Sequence, residues 1–393
     1  MKIDNMFYGY ERKDGQVGVR NHLAIIPTVF CANTVAKRIS NSLSGSVVFC
    51  HGVGCAQVGY DFEMTARTLI GIGLHPNFGA VLIVGNGCER FKVSELFKAI
   101  LESGKPVEKV VIQEEGNSST AVSKGIKLSL PLLQDLSEQP KKQFPLSCLT
   151  IGLECGGTDA TSGIAANPAV GFASDFIVNK GGTAIFSETN ELLGAEHILA
   201  RRAVSSNVSE KILKTIANVE NKLAEETADP CYKNRSALIS TGNFDGGVST
   251  VAEKALGNIA KSGSAPIQGV LGFAEKPKVP GLYFMDTHSH DAESTTGLAA
   301  GGAQIILFTT GRGTPTGFPG VPVIKITGND SLYHRMTENI DINTGTILQG
   351  IATIRDAGRE IIKEIINVAN GKRTKAEMMS HDELFSIPRW TWI

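Results

Sequence analysis

The sequence predicts an α/β protein with two parallel or mixed sheets, each flanked by helices. Runs of valine, isoleucine and leucine recur along the chain and alternate with amphipathic stretches of helical length. Strands that are buried on both faces have this continuous apolar character, and the helices between them cover a parallel sheet. Many of the 43 glycines follow directly after the apolar runs, as expected for turns that approach a small ligand. Both sheets are therefore expected to be Rossmann-like.

The first part of the chain predicts one sheet unit. Its expected strands span residues 23–29, 46–49, 80–84 and 107–112, and its helices span 32–43, 61–72, 94–103 and 118–134. The segment 137–143 is polar and contains proline, so it is the best linker candidate. We therefore predict an N-terminal α/β domain over 1–140 and a C-terminal α/β domain over 141–393.

The second part continues in the same style. Its expected strands span residues 149–153, 183–186, 281–285, 304–309 and 321–326. A charged helical stretch is predicted over 192–227, and an amphipathic helix over 351–370.

Composition narrows the class of protein. The 393 residues are 42% hydrophobic and 20% charged, with a net charge of −1, which is ordinary for a globular protein and gives no reason to expect nucleic acid or an anionic membrane as a partner. No apolar run reaches the ~18 residues that span a bilayer, and the start lacks the features of a signal peptide. A cytoplasmic location is expected, where seven cysteines indicate core, metal-binding or catalytic thiols.

The most informative stretch begins where the apolar run 149–153 ends. That run is followed by Glu154, Cys155, two glycines and Asp159. A strand that ends in such a cluster places reactive groups at the carboxyl edge of a sheet, where open α/β folds bind ligands. The alternative is a tight turn with capping residues.

Thiols or imidazole follow four of the predicted strands. Cys31, His51 with Cys55, Cys88 and Cys155 would share one edge if the sheet is parallel. Thiolate and imidazole suit iron or zinc, so His51, Cys55, Cys88 and Cys155 are the predicted metal region. No pair has the Cys-x-x-Cys spacing of a structural zinc site, and plain packing is the alternative for each cysteine.

Two further strand ends carry titratable groups. Glu188 follows the strand 183–186 and is a candidate general base or ligand. His288 and His290 follow the strand 281–285, with an exposed polar loop as the alternative.

Two polar clamps suit an acidic substrate. Arg312 lies between two glycines with Thr314 close behind, and Arg20 with Asn21 precedes the first predicted strand. Arginine binds a carboxylate through two parallel hydrogen bonds. A phosphate would fit equally, although the chain has no glycine-rich nucleotide loop.

Taken together, these motifs resemble the altronate/galactarate dehydratase family over nearly the whole chain. The stretches that carry the resemblance are Gly9-Tyr10 with Arg12 and Asp14-Gly15, Val17-Gly18-Val19-Arg20-Asn21, His51-Gly52 with Gly54-Cys55, His75-Pro76-Asn77, Gly85 with Gly87-Cys88-Glu89, Cys155-Gly156-Gly157 with Asp159, Ser162-Gly163 with Ala166-Asn167-Pro168-Ala169-Val170-Gly171, Phe186-Ser187-Glu188, Gly242-Asn243 with Gly246-Gly247, Glu253-Lys254-Ala255, Phe308-Thr309-Thr310-Gly311-Arg312-Gly313-Thr314-Pro315 and Asp341-Ile342-Asn343.

The resemblance implies an enzyme that removes water from a sugar acid to give a 2-keto-3-deoxy acid. It also implies a divalent metal, Fe(II) first with Mn as a possibility, and an iron–sulfur cluster on three cysteines stays open. Many members carry a small SAF domain before the motif that begins here at Gly9. We therefore expect a large subunit that works with a separate small SAF-domain subunit, and homo-oligomers are the default for such enzymes.

A sister branch, the large subunit of sulfolactate sulfo-lyase, is also similar in its sequence around Glu188 and in 280–286. That branch lacks counterparts of Cys55, Cys88 and the Thr-Gly-Arg-Gly-Thr-Pro stretch, all of which this chain has, so the sugar-acid branch is favoured. A non-catalytic sugar-acid-binding subunit is the third alternative.

The expected reaction assigns a role to each candidate. A base, Glu188 or His51, removes the proton on C2, and an acid, Asp159 or His288, protonates the departing 3-hydroxyl. The substrate is bound by Arg20, Asn21, Arg312 and Thr314. Which sugar acid is used depends on stereochemistry that the sequence does not reveal.

Overall fold

The computed structural model of the chain describes residues 4–226 and 239–390. Its strands are β1 (Met6–Glu11), β2 (Val17–Gly18), β3 (His22–Pro27), β4 (Ser46–Val48), β5 (Phe78–Gly85), β6 (Val107–Val111), β7 (Lys142–Pro145), β8 (Thr150–Cys155), β9 (Thr183–Phe186), β10 (Ile267–Leu271), β11 (Gly281–Met285), β12 (Ile305–Thr309), β13 (Val323–Thr327) and β14 (Ile342–Asn343).

The helices of the described residues separate these strands. They are α1 (Asn33–Asn41), α2 (Gly59–Gly73), α3 (Val93–Glu102), α4 (Ser118–Glu138), α5 (Asn167–Asn179), α6 (Glu196–Arg201), α7 (Ser206–Glu226), α8 (Thr241–Asp245), α9 (Val251–Ile259), α10 (Asp291–Ala300), α11 (Asp330–Arg335), α12 (Ile354–Ala369) and α13 (Lys375–Met378).

Two parallel sheets confirm the predicted α/β class. The smaller has four strands in the order β4-β3-β5-β6, and the larger has seven in the order β10-β11-β9-β8-β12-β13-β14. The strand pairs within each sheet are all parallel. The central strands are fully buried, which explains their unbroken apolar runs.

The strand order of the larger sheet reverses next to β8. From β8 the chain proceeds to β9, β10 and β11 on one side, and then returns to β12, β13 and β14 on the other. Open α/β sheets bind ligands outside the carboxyl ends of the strands at such a reversal. The carboxyl end of β8 is the segment that the sequence singles out.

The segment predicted as a linker is largely structured. Helix α4 continues to Glu138, and β7 begins at Lys142 and pairs antiparallel with β1. Strand β1 was not predicted from the sequence, because its six residues mix buried and exposed positions and do not form the continuous apolar run of a buried strand. The ribbon ties the start of the chain to the segment that precedes β8. The division into domains 1–140 and 141–393 stays a prediction.

The two sheets share an apolar core. Phe49 and Phe78 of the first part pack against Phe318 and against Phe385 near the end of the chain, with ring centroids of Phe49 and Phe385 5.1 Å apart. Burying each such ring stabilises the fold by about 1.5–3 kcal/mol. This packing therefore joins the small sheet, the large sheet and the C-terminal segment into one body.

The charged stretch predicted as helical over 192–227 is interrupted. Gly194 adopts a left-handed conformation (φ 95°) before α6, and a turn separates α6 from α7. The last predicted residue, 227, lies outside the described residues. Within those residues, no helix has both the length and the apolar character needed to cross a bilayer.

Candidate active site

Buried polar groups converge at the carboxyl edge of the larger sheet. Glu154 and Cys155 end β8, and Glu188 follows β9 after one residue. The backbone N–H of Cys155 donates to Oε2 of Glu188 at 3.1 Å, and both side chains are buried. The structure thus brings together two of the residues predicted from the strand ends.

Glu188 adopts a strained backbone conformation. Its φ is 73°, in the left-handed region that costs a non-glycine residue about 1–3 kcal/mol. Its N–H donates to Oγ1 of Thr287 at 2.9 Å, which holds the conformation from the neighbouring loop. Such strain is concentrated at functional sites because the surrounding structure must enforce it.

Lys261 places an ammonium group against Glu188 inside the protein. Its Nζ donates to Oε2 of Glu188, and both side chains are almost completely buried. Burial alone would lower the pKa of Lys261, but the charge of Glu188 opposes that shift and is the main reason that the pKa is raised. Burial raises the pKa of Glu188, and Lys261 opposes the shift. No motif marks Lys261, so sequence reasoning missed it.

A small pocket opens above Cys155. Its volume is about 210 Å³, and its lining residues are Cys155, Gly156, Gly157, Glu191, Ser240, Asn243, Lys254, Ser289 and Asp291. Nζ of Lys254 lies 2.7 Å from Oε1 of Glu191, while Oε2 of Glu191 is buried without a partner. Burial would lower the pKa of Lys254, but Glu191 raises it overall, so this lysine carries a positive charge in the pocket.

Asp291, the first residue of α10, lies on the pocket wall. Burial, followed by the charge of Glu191, raises its pKa to about 6. A Cβ on Gly156 would come within 3.5 Å of Oδ2 of Asp291 and 2.7 Å of the Phe308 ring. Only glycine therefore fits at 156, and it leaves the Asp291 carboxyl accessible from the pocket.

Burial also shapes the thiol of Cys155. It raises the thiol's pKa above its usual value, so the group stays a neutral S–H at neutral pH. Its Sγ lies 3.6 Å from Oγ1 of Thr158, which leaves it a weakly bonded donor at the pocket floor.

Asp159, a predicted acid, is fully engaged in local structure. Its Oδ1 accepts hydrogen bonds from the hydroxyl of Thr161 at 2.6 Å and from the backbone and hydroxyl of Ser162. Its Oδ2 accepts from Asn329 at 3.0 Å. Both oxygens therefore take part in holding the turn after β8, and Asp159 does not line the pocket above Cys155.

Arg312 lies at the edge of the pocket. A Cβ on Gly157 would approach its Cβ and Cγ to 3.1 Å, and its side chain is exposed. The hydroxyl of Thr314 is paired with that of Thr316 at 2.8 Å. The buried Lys325 donates to the carbonyl oxygens of Pro315 and Thr316, at 2.6 and 2.9 Å, and so fixes the loop that carries Arg312.

Arg20 and Asn21 are not among the residues that line the pocket above Cys155, and their substrate-binding role stays a prediction. The Arg20 guanidinium forms a double ion pair with Glu377, at 2.7 and 2.9 Å, and donates to the carbonyl oxygens of Val19, Val368 and Lys372. Asn21 donates to the carbonyl of Leu136. Both residues precede β3 and therefore lie at the amino edge of a parallel sheet, opposite to the edge that binds ligands.

His51 is a structural residue as well. Its Nε2 lies 2.7 Å from the carbonyl oxygen of Pro27, and its Nδ1 accepts from the N–H of Val53 at 3.3 Å. Burial lowers its pKa to about 4. With both ring nitrogens engaged, His51 has no free lone pair to act as a base or to bind a metal.

The four predicted metal ligands do not assemble. Cys55 and Cys88 are exposed near the edge of the smaller sheet, whereas Cys155 is buried at the edge of the larger one. Across residues 4–226 and 239–390, no three histidine, cysteine, aspartate or glutamate side chains are grouped so that they could hold a metal ion. The same finding applies to three cysteines as ligands of an iron–sulfur cluster.

His288 lines a second, larger cavity of about 890 Å³. The two cavities meet at Ser289, which lines both. The His288 ring packs on Trp390 with centroids 4.1 Å apart, and its Nε2 is buried without a partner. Burial lowers its pKa to about 4, so the ring is neutral at pH 7 and a poor proton donor.

The fold and the pocket define the class of protein. A parallel sheet with a polar pocket at a reversal of strand order is the architecture of an open α/β protein that binds a small ligand. The chain belongs to the D-galactarate/altronate dehydratase family, which confirms the resemblance seen in its motifs. Residues 146–391 match the domain described as D-galactarate/Altronate dehydratase, C-terminal, and residues 9–137 match D-galactarate dehydratase/Altronate hydrolase, second domain.

Individual relatives come from two kinds of enzyme. Altronate dehydratase of Bacillus subtilis is 35% identical over 96% of this chain and 76% of its own length. Galactarate dehydratase (L-threo-forming) of Escherichia coli is 37% identical over 93% of this chain and 73% of its own length. The (2R)-sulfolactate sulfo-lyase subunit beta of Chromohalobacter salexigens is 35% identical over 96% of both chains. The dehydratases are hydro-lyases, enzymes that remove water.

Proposed function

We propose that this chain removes water from a sugar acid, such as altronate or galactarate, to give a 2-keto-3-deoxy acid. The observation that carries the proposal is the pocket above Cys155, where a charged lysine, a carboxyl group with a pKa of about 6 and a neutral thiol face one small space. Dehydration next to a carboxylate needs these three elements: a cation for the acid, a base for C2 and a proton donor for the leaving hydroxyl.

Lys254 and Arg312 are the groups that bind the substrate carboxylate in this proposal. Lys254 is already held by Glu191 at 2.7 Å, so it needs little ordering when the substrate binds. As the C2 proton leaves, negative charge builds on the carboxylate, and a fixed cation in a confined site stabilises that charge electrostatically. Arg312 adds a second cation at the mouth of the pocket.

Asp291 is the proposed base. A pKa of about 6 leaves it mostly ionised at neutral pH and still basic enough to accept a proton. It takes the proton from C2, and the electron pair of that bond moves into the substrate as an enolate. Neither His51 nor Asp159 lines this pocket, and Glu188 lies behind Cys155.

Cys155 is the proposed acid. Its buried thiol keeps its proton at neutral pH and can transfer it to the 3-hydroxyl as the C3–O bond breaks, which releases water. The remaining enol becomes the 2-keto acid by losing the proton of its C2 hydroxyl and taking a proton at C3. The proton on Asp291 returns to the thiolate directly or through water, which restores the starting state.

The metal requirement implied by the resemblance remains a prediction. The described residues do not present a ligand set for it, so no step above passes through a metal. Metal analysis of anaerobically purified protein, before and after treatment with a chelator, tests the requirement separately from the residue roles.

The experiment that tests the proposed function is turnover of D-altronate and of galactarate, followed as formation of 2-keto-3-deoxy acid. It is run with and without a small SAF-domain subunit, which we propose as the partner. Turnover that is lost in the Asp291→Asn variant supports the proposal. A wild-type protein that binds sugar acids but never converts them, with any small subunit, would establish a binding subunit instead.

Sulfolactate sulfo-lyase is the second candidate function. The observation that favours it is the extent of the match. This chain aligns with 96% of the length of the sulfo-lyase subunit, but with only 73–76% of the length of the dehydratases. In this reaction the same pocket would bind the carboxylate of sulfolactate, and the substrate would lose sulfite rather than water. Release of sulfite from sulfolactate, without turnover of sugar acids, would assign the chain to that branch.

Two further expectations belong to this proposal. We propose a homo-oligomer, tested by light scattering of the purified chain, and a cytoplasmic location, tested by fractionation of cells.

A further inference from the structure

Glu154 is a completely buried carboxyl group directly behind the pocket. Hydroxyl oxygens of Ser187 and Ser294 lie 3.2 and 2.7 Å from its Oε2, and its Oε1 has no partner. It does not line the pocket, so it cannot touch a substrate there. Neither the reaction above nor the packing of β8 accounts for a carboxyl group at this position.

A chain of hydroxyl groups connects Glu154 to Glu188. Oε2 of Glu154 lies 2.7 Å from Oγ of Ser294, which lies 3.2 Å from Oγ1 of Thr287. That oxygen in turn accepts the backbone N–H of Glu188 at 2.9 Å. The chain ends at the strained residue of the site.

Glu188 in turn holds two pocket residues. Its side chain accepts the N–H of Cys155 at 3.1 Å, and its carbonyl accepts the N–H of Glu191 at 2.9 Å. A small rotation of Glu188 would therefore move both the thiol and the carboxylate that anchors Lys254.

We propose that Glu154 is a positioning residue for Glu188, acting through the hydroxyl groups of Ser294 and Thr287. The inference rests on the proposed function, because it assigns Glu154 a part in the same reaction. It predicts that the hydrogen-bonding capacity of residue 154 matters and that its negative charge does not.

The charges around Glu154 favour its neutral form. Glu188 and Asp291 are acidic, and the nearby cation Lys261 makes its hydrogen bond to Glu188. An ionised carboxylate with one unpartnered oxygen and no cation contact would be costly at this depth. As a neutral acid, Glu154 still accepts a hydrogen bond at Oε2 from the hydroxyl of Ser294. Oγ1 of Thr287 donates towards Ser294 at 3.2 Å and lies 3.0 Å from the carbonyl oxygen of His288, and it accepts the N–H of Glu188.

The test compares Glu154→Gln, which keeps an acceptor of the same shape, with Glu154→Leu, which removes it. We expect Glu154→Gln to retain kcat within about threefold with an unchanged pH profile, because the amide oxygen can accept from Ser294. We expect Glu154→Leu to lower kcat by about 10²-fold, the effect of a misplacement on the order of 1 Å in a site of this kind. Glu102→Gln, at an exposed position, is the matched control.

Ser294→Ala provides an independent check on the chain itself. If the two residues act in series, Ser294→Ala should cause a similar loss, and the double variant with Glu154→Leu should be no worse than either alone. Thermal unfolding of each variant separates loss of position from loss of fold.

Infrared spectroscopy tests the protonation state without any turnover. At neutral pH the difference between wild type and Glu154→Gln should contain the carbonyl band of a protonated carboxyl group. Three results would overturn the inference. They are a carboxylate band in the infrared difference, a shift of the low-pH limb of the kcat profile in Glu154→Gln, and full activity in Glu154→Leu. A wild type that converts no sugar acid would instead overturn the proposed function, and the infrared result would still stand.

Discussion

Lys254 and Glu191 form an ion pair at 2.7 Å inside the pocket that Cys155 lines. Their side chains come from α9 and from the loop after β9, so the pair joins a helix to the sheet edge. One oxygen of Glu191 stays unpartnered, and Lys254 has hydrogens left for a ligand. Lys254 thus offers a fixed ammonium group to a ligand in the pocket, while Glu191 balances its charge.

Replacing Lys254 by glutamine should lower kcat/KM on sugar acids by about 10²-fold or more, because one partner of a buried charge pair is lost together with the substrate contact. Steady-state kinetics measure the loss. Lys363→Gln is the control, since Lys363 forms a pair with Glu360 on the surface and such pairs contribute little. Equal kinetics in both variants would remove Lys254 from the site.

Asp291→Asn should lower kcat by about 10²–10⁴-fold, the usual contribution of a general base. In the wild type, kcat/KM should fall as the pH drops below about 6, because the base becomes protonated through its pKa of about 6. That limb should be missing from the residual activity of the variant. A wild-type profile that is flat from pH 5 to 8 would exclude Asp291 as the base.

Asp291 should lower the stability of the folded protein at neutral pH, although it supports activity there. The pKa of Asp291 is raised to about 6 in the folded state from its ordinary value of 3.8, so folding becomes less favourable as the pH rises through that interval. Asp291→Asn should therefore be more stable than the wild type at pH 7.5, by on the order of 1–3 kcal/mol. Urea unfolding at pH 7.5 and pH 4 measures the difference, which should shrink at the lower pH.

Glu188→Gln should destabilise the protein by about 3–5 kcal/mol, because Lys261 would remain buried without its counter-charge. Lys261→Met in the same chain removes that charge and should recover part of the loss. Denaturant unfolding of the two single variants and the double variant gives the coupling between them. If the effects simply add, the buried pair is not the cause.

Arg20 and Arg312 should respond in opposite ways. Arg20→Met should lower stability by about 3–5 kcal/mol, because Arg20 is in a largely buried ion pair with Glu377, with kcat of the folded protein unchanged. Arg312→Met should keep the stability and lower kcat/KM by about 10–10²-fold. Denaturant unfolding and steady-state kinetics of both variants test this contrast. If Arg20 bound the substrate, Arg20→Met would lower kcat/KM instead of leaving the kinetics unchanged.

Sequence reasoning succeeded where chemistry follows a strand directly. The strand before Glu154 and Cys155 and the strand before Glu188 could both be identified from their apolar runs, and parallel pairing then places their ends together. It could not find Lys254, Lys261 and Asp291 as partners, because they come from helices or helix ends about 65 to 135 residues away and only folding brings them to this edge.

Two residues that the sequence suggested for the site, Arg20 and His51, do not line the pocket, and each has a physical reason. Arg20 looked like a clamp because its side chain suits a carboxylate, and it does bind one, that of Glu377. Its position before a strand, at the amino edge, argued against the pocket. His51 is at the correct edge of its own sheet, but its ring is turned inward to the backbone of β3, which spacing along a sequence does not reveal.

The contact between Phe49 and Phe385 bears on how the protein is made. Residues 384, 385 and 387 share this core with Phe49, yet they are synthesised much later than the small sheet. Until they are made, Phe49 and its neighbours lack part of their apolar cover on the nascent chain and are open to association with other chains. Production in cells should therefore depend on chaperones that shield the first part until residues 384–387 have been made.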